Sequence, residues 1–297
     1  MDRISVDQIK GHLKAFAFER NPYTSPQNLK TASDYLADQF SKYGLRVREE
    51  TVPFEGSIKA TTTLDDAQIF TNILGAKLSE SAQAEAFVLG AHYDTVERSP
   101  GADDNASAVA ALLCIAEALK SVELKADLIL AAFTLEEYGY VGSRFFLEQA
   151  LERGNLFSGM ISLEMLGYRD FTPGSQSYPP YVDAGARPNT GDFIAVVANE
   201  PSAPLANQVV HGLKLGTPDL PVETLVVPGD GSQFPEVQLS DHSPFWDRQI
   251  PAVMVTDTAF FRNPNYHKPE DTLDTLDLNF IEEVANGVAA FIEHRLG

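Results

Sequence analysis

The chain has 297 residues, 44% of them hydrophobic, enough to bury one sizeable core. Its 42 acidic residues against 22 basic ones give a formal net charge of −20 and a pI near 4.6, which argues against nucleic acid or an anionic membrane surface as partner. The single cysteine, Cys114, excludes an intrachain disulfide; with no run of 18 apolar residues and no apolar leader, the sequence reads as soluble and cytoplasmic, or as a secreted protein whose leader was removed.

Taken in order, Val6, Ile9, Leu13 and Phe16 recur at helical spacing, and Asn21-Pro22 ends that helix. Ser25-Pro26 opens a second helix, with Leu29, Ala32, Leu36 and Phe40 on one stripe and Gly44 as its stop. Residues 46–54 and 61–74 alternate polar and apolar like a pair of edge strands. Nothing in these first 80 residues carries chemistry.

From Ala84 onward, nearly continuous apolar runs at 87–91, 127–133, 159–163, 193–197 and 252–255 alternate with helical stretches at 106–121, 140–151, 204–215, 242–249 and 278–296. Such runs suit strands covered on both faces, and their alternation with helices predicts a layered α/β domain around a largely parallel sheet. Sites in these sheets form beyond the carboxyl ends of strands. His92-Tyr-Asp94, Glu136-Glu137 and Glu164 each follow one of the runs, so three strands deliver imidazole and carboxylates to the same end. The long loops at 168–190 and 229–240 are candidate walls for a substrate pocket, with Tyr168, Tyr178, Tyr181 and Phe193 as candidate lining.

Gly101-Ala-Asp-Asp-Asn-Ala-Ser107 places acidic residues where an apolar helix begins, ordinarily a capping arrangement. Its company sets it apart. If His92, Asp104, Glu137, Glu164 and His267 converge, three carboxylates share one crevice, and burying them unpaired is costly. A cation resolves the conflict, and mixed imidazole and carboxylate donors suit zinc better than calcium or magnesium. Five ligands are too many for one tetrahedral zinc with an open position. With Asp104 bridging they serve two: His92, Asp104 and Glu164 on the first, Asp104, Glu137 and His267 on the second, with a water or hydroxide between. Glu136 is then free to act as general base, and Asp94 is placed to accept the second ring proton of His92.

These motifs, together with Leu135-Glu-Glu-Tyr-Gly139, Leu163-Glu-Met-Leu-Gly167, Ser240-Asp-His-Ser-Pro-Phe-Trp246 and Tyr266-His-Lys-Pro-Glu-Asp-Thr272, resemble the M28 family of zinc exopeptidases in the expected order. The resemblance implies a single zinc-exopeptidase domain over 1–297, with a helical and edge-strand part over about 1–80 and the metal site within 84–297. It implies a three-layer phosphorylase/hydrolase-like α/β fold, a mostly parallel mixed sheet flanked by helices. It also implies two zinc ions per chain and aminopeptidase-type hydrolysis of a peptide or small aminoacyl substrate. Position by position, Asp104 matches the bridging ligand, His92, Glu137 and His267 match terminal ligands, Glu136 the base and Asp94 the group that orients a ligand. Glu164 departs from the aspartate of most members; it keeps the charge with a longer reach.

Glutaminyl cyclases are relatives that use one zinc, and their ligands would correspond to Asp104, Glu137 and His267. His242 resembles a site-lining histidine of that branch, which as a donor would stabilise an oxyanion. A carboxypeptidase is a further reading, with Arg169 and Arg187 as anchors for a terminal carboxylate. His12, His211 and His294 are expected on outer helix surfaces, and Trp246 under the last strands.

Overall fold

The computed structural model describes residues 1–53, 70–79 and 85–297, and the apolar runs pair there into a mixed sheet of eight strands among the described residues. The strands are β1 (Arg46–Val52), β2 (Phe70–Lys77), β3 (Glu85–His92), β4 (Leu128–Phe133), β5 (Leu156–Glu164), β6 (Ile194–Asn199), β7 (Val222–Val227) and β8 (Ala252–Thr256), in spatial order β1-β2-β4-β3-β5-β8-β6-β7. The central strands β4, β3, β5 and β8 run parallel, whereas β2 pairs antiparallel with β4 and β6 with β8. The expected edge pair is present as β1 against β2; the remainder of that expectation, at 54 and 61–69, lies outside the described residues. β7 went unforeseen because its Val-Glu-Thr-Leu-Val-Val sequence lies on the sheet's half-exposed edge and lacks the all-apolar signature of a buried strand.

Helices α1 (Val6–Phe16), α2 (Pro26–Lys42), α3 (Ala108–Ala118), α5 (Ala203–Gly216) and α7 (Leu278–Leu296) share one hydrophobic core with one face of the sheet. On the other face, α4 (Val141–Glu152) and α6 (Ser243–Asp247) cover a second core. β3 shows why its run is unbroken: Phe87, Leu89 and Ala91 enter the first core while Val88 enters the second. Local signals set the helix ends. Ser5 and Gln8 close a capping box on α1, Pro26 opens α2, and the Asp277 side chain accepts the N–H groups of Asn279 and Phe280 at the start of α7.

One histidine departs from its expected place. His12 lies on the inward stripe of α1, buried, with Nδ1 2.8 Å from the Tyr35 hydroxyl and Nε2 3.2 Å from that of Tyr43. Burial pulls its pKa down to about 4, so the ring is neutral. His211 and His294 are exposed as expected, and Trp246 is buried with its indole N–H donated to the Ala252 carbonyl.

Candidate metal centre

Three neighbouring parallel strands end at one place. His92 is the last residue of β3, Glu136 and Glu137 follow β4 in a single 3-10 turn, and Glu164 is the last residue of β5. His267 arrives from the loop after β8, and Asp104 from the irregular turn 101–107 that leads into α3. Glu136, Glu137, Asp104, Glu164 and His267 line one open cleft, backed by the buried ring of His92.

Asp104 stands between two imidazoles. Its Oδ1 is 3.3 Å from His92 Nε2, which is also 3.3 Å from Glu164 Oε1. Its Oδ2 is 3.1 Å from His267 Nε2, which is also 3.1 Å from Glu137 Oε2. Two triads therefore share one carboxylate: His92, Asp104 and Glu164, and Asp104, Glu137 and His267. Donor atoms bonded at about 2.0 Å to a tetrahedral zinc lie roughly 3.3 Å from one another. The observed spacings match that geometry, and each triad offers the one-nitrogen, two-oxygen set that suits zinc. Glu137 Oε1 is buried with no hydrogen-bond partner among the described residues, which leaves its lone pairs available to a cation.

The scaffold beneath is made of backbone bonds. Asp94 Oδ1 accepts the Glu136 N–H at 3.0 Å and Oδ2 that of Glu137 at 3.3 Å, so one carboxylate orients the turn that bears both glutamates. His92 Nδ1 lies 3.6 Å from Asp94 Oδ1, facing it at longer than hydrogen-bond distance. Asp271 accepts the N–H groups of Asp103 and Asp104. Asn105 accepts the Met165 N–H and donates to the Leu163 carbonyl, tying the Asp104 turn to the strand that carries Glu164. Positive φ angles fall at Leu135, before the glutamates, at Met165, after Glu164, and at His267 itself. Left-handed backbone at non-glycine residues is costly and concentrates where a site dictates side-chain direction.

Crowding shows in the ionisation of these groups. Burial lowers the pKa of His92, but Glu164, Glu136, Asp104 and Asp94 outweigh it and raise it well above the usual histidine value. His267 follows the same pattern, lifted to about 10 by Asp104 and Glu137 against burial. Burial raises Glu137 to about 7 and Glu136 well above the carboxylate range, with Glu164 and Asp241 adding to the rise in Glu136. A divalent cation would supply the counter-charge that these carboxylates draw from the imidazoles.

One residue of the expected set lies elsewhere. His242 is fully buried, donates Nε2–H to the Val237 carbonyl at 2.8 Å and packs edge-on against Trp246, with ring centroids 4.5 Å apart. It does not line the cleft, so the structure does not place the expected oxyanion donor there: as the N-cap residue before α6 it turns its ring inward to the Val237 carbonyl. Arg169 is engaged by Asp277 and Glu283, and Arg187 by Glu223, which leaves neither as a free anchor for a carboxylate. Conversely, Ser240, quoted only as part of a motif, donates its hydroxyl to Glu164 Oε2 at 2.7 Å, and the Tyr266 ring stacks on that of His267 at 3.7 Å. A serine two residues before a histidine carries no signal of such a contact without the fold.

Beside the cleft opens an apolar pocket. Its floor is Phe193, just before β6, with Ala195, Val197 and Met254 on one face of β6 and β8, and its walls come from residues 223–225 of β7 and the loops at 176–187, 236–239 and 258–266. Tyr178 and Phe193 line it as expected; Tyr168 and Tyr181 do not. Glu164, Leu239 and Tyr266 border both hollows.

Residues 72–292 match Peptidase family M28. YfbL of Escherichia coli strain K12 is 35% identical over 276 residues, 89% of this chain and 80% of that protein. Aminopeptidase YwaD of Bacillus subtilis strain 168 is 26% identical over 76% of this chain, which spans 44% of that protein's length. Among solved structures, glutaminyl cyclase from Porphyromonas gingivalis superposes with a TM-score of 0.72 at 18% identity, over 99% of this chain and all of that one, a likeness of fold.

Proposed function

The chain belongs to peptidase family M28, and on that footing we propose that it is a zinc aminopeptidase that removes an apolar residue from the N-terminus of a peptide, with two zinc ions held by the two triads. The observation that carries this reading is Asp104, which turns one oxygen to His92 and Glu164 and the other to His267 and Glu137. Zinc at these triads would polarise the scissile carbonyl and acidify the attacking water. Glu136 fits the proton carrier: its backbone is held by Asp94, its carboxylate opens on the cleft 3.9 Å from His92 Nε2, and it belongs to neither triad. From there it takes the proton of the attacking water and returns it to the leaving amine. The carboxylate-rich cleft draws the substrate's α-ammonium group, and the first side chain enters the adjoining apolar pocket.

The fold shared with a glutaminyl cyclase and the triad Asp104, Glu137, His267 keep a second reading, a single-zinc cyclisation of N-terminal glutamine. One experiment separates the two. A panel of aminoacyl-fluorogenic substrates and Gln-initiated peptides is assayed with zinc content measured in parallel. Release of free leucine or phenylalanine with about two zinc ions per chain supports the aminopeptidase; ammonia release from the Gln peptide with one zinc overturns it in favour of the cyclase.

A further inference from the structure

Arg20 and Asn21 lie between α1 and α2, outside residues 72–292 and outside every motif that pointed to the cleft. Arg20 is fully buried, yet among the described residues its hydrogen bonds go to backbone carbonyls rather than to a carboxylate. Its Nε donates to the Tyr93 carbonyl at 2.7 Å, Nη1 to those of Phe16, Phe18 and Pro100 at 2.6, 2.6 and 3.0 Å, and Nη2 to that of Gly101 at 3.0 Å. Its backbone N–H donates to Thr95 Oγ1 at 2.9 Å. Asn21 then donates Nδ2 to the Thr95 carbonyl at 2.8 Å and to the Tyr138 hydroxyl at 2.9 Å.

Apart from Phe16 and Phe18, each of these partners borders a candidate site residue. Tyr93 and Thr95 flank Asp94 just after His92, Pro100 and Gly101 lead into Asp104, and Tyr138 completes the turn of Glu136 and Glu137. Two consecutive residues thus hold all three loops. Gly101 has φ +58°, and a Cβ there would come within 2.9 Å of Arg20 Nη2 and 2.3 Å of the Asp104 carbonyl, so the guanidinium and the ligand loop meet with no room for a side chain. The charge matters as well as the shape. Carbonyl oxygens solvate the cation without neutralising it, and the opposite charges that act on it are Asp271, Asp104, Asp94 and Glu137. A lysine would keep the charge, but its compact ammonium cannot reach separate segments in the plane of a fork.

We propose that Arg20 is a positioning residue of the metal centre, setting the spacing between the His92 and Asp104 loops from a segment outside the matched region. The proposal rests on reading these residues as zinc ligands, and its test keeps the two apart. Zinc affinity is measured by competition with a chromophoric chelator, alongside the absorption spectrum of the cobalt-loaded protein and the Tm of the metal-free protein. For R20K we expect zinc to bind about tenfold or more weakly, with an altered cobalt spectrum, as when groups that support metal ligands are lost. Two zinc ions bound with wild-type affinity and spectrum, whether or not the metal-free Tm has fallen, would overturn the positioning role and leave the zinc reading intact. Wild-type protein that binds no zinc would overturn the zinc reading itself, and the proposal with it. Should R20K fail to fold, Asn21→Ala, which releases Tyr138 and Thr95 but keeps the guanidinium, is read by the same criteria.

Discussion

The cleft and the apolar pocket share a wall but are built in opposite ways. In the cleft, ionisable side chains stand at strand ends or in turns stitched to them, and backbone N–H groups fix the carboxylates that orient them. Their spacing is set by the register of β4, β3 and β5, which cannot change without moving the core. In the pocket the sheet supplies the floor and, through β7, part of one wall, and the remaining walls are loops. On the proposed function the difference separates two jobs: chemistry would sit on the part of the fold least able to vary, and much of the selectivity on loops.

Removing the metal gives the largest expected effect on one side of that comparison. A chelator should abolish turnover, lower the Tm as Asp104, Glu137 and Glu164 lose their cations, and leave the pocket's floor in place; zinc restores both readings, as differential scanning fluorimetry and rate assays would show. Next in size is Glu136→Gln, expected to cut kcat by roughly 10² to 10⁴-fold with zinc content and substrate preference unchanged. Near wild-type turnover would remove Glu136 from the chemistry. On the other side, Met254→Trp fills the pocket floor. It should lower kcat/KM for leucyl and phenylalanyl substrates by roughly 10- to 100-fold while an alanyl substrate changes little and zinc content not at all. Equal losses on all three substrates would mean that the two hollows are not separable.

The smallest effect belongs to a group remote from both, and it supplies the baseline for pH work. His12 has a folded pKa of about 4 against 6.5 unfolded. Above pH 6.5 both states hold it neutral; as pH falls towards 4 the unfolded chain takes the proton and the folded one does not, so stability is lost over that window. Urea unfolding should show on the order of 2 kcal/mol lost between pH 7 and 5 from this residue. The corresponding loss should shrink by that amount in His12→Gln.

The parts of the site that elementary patterning could place were those tied to strand ends; Asp104 and His267, in a turn and a loop, were legible through their motifs. An apolar run followed by His92, Glu136-Glu137 or Glu164 specifies both the element and the end at which the side chain emerges. His242 failed because its place in a motif says nothing about which way α6 turns its ring. Arg20 left no trace because its partners are carbonyl oxygens, which every residue possesses and no sequence pattern marks. His12 and β7 were missed for the converse reason: a buried polar residue and a half-exposed strand each break the pattern by which core and surface are told apart.

Glu164, Leu239 and Tyr266 border both hollows, and Glu164 belongs to the first candidate triad. On the proposed zinc reading, this shared wall predicts that occupancy of one hollow is linked to occupancy of the other. By whatever factor bound zinc alters the affinity of an apolar amine for the pocket, that amine must alter the affinity for zinc by the same factor. A simple aliphatic amine added during a zinc titration would report that reciprocity directly.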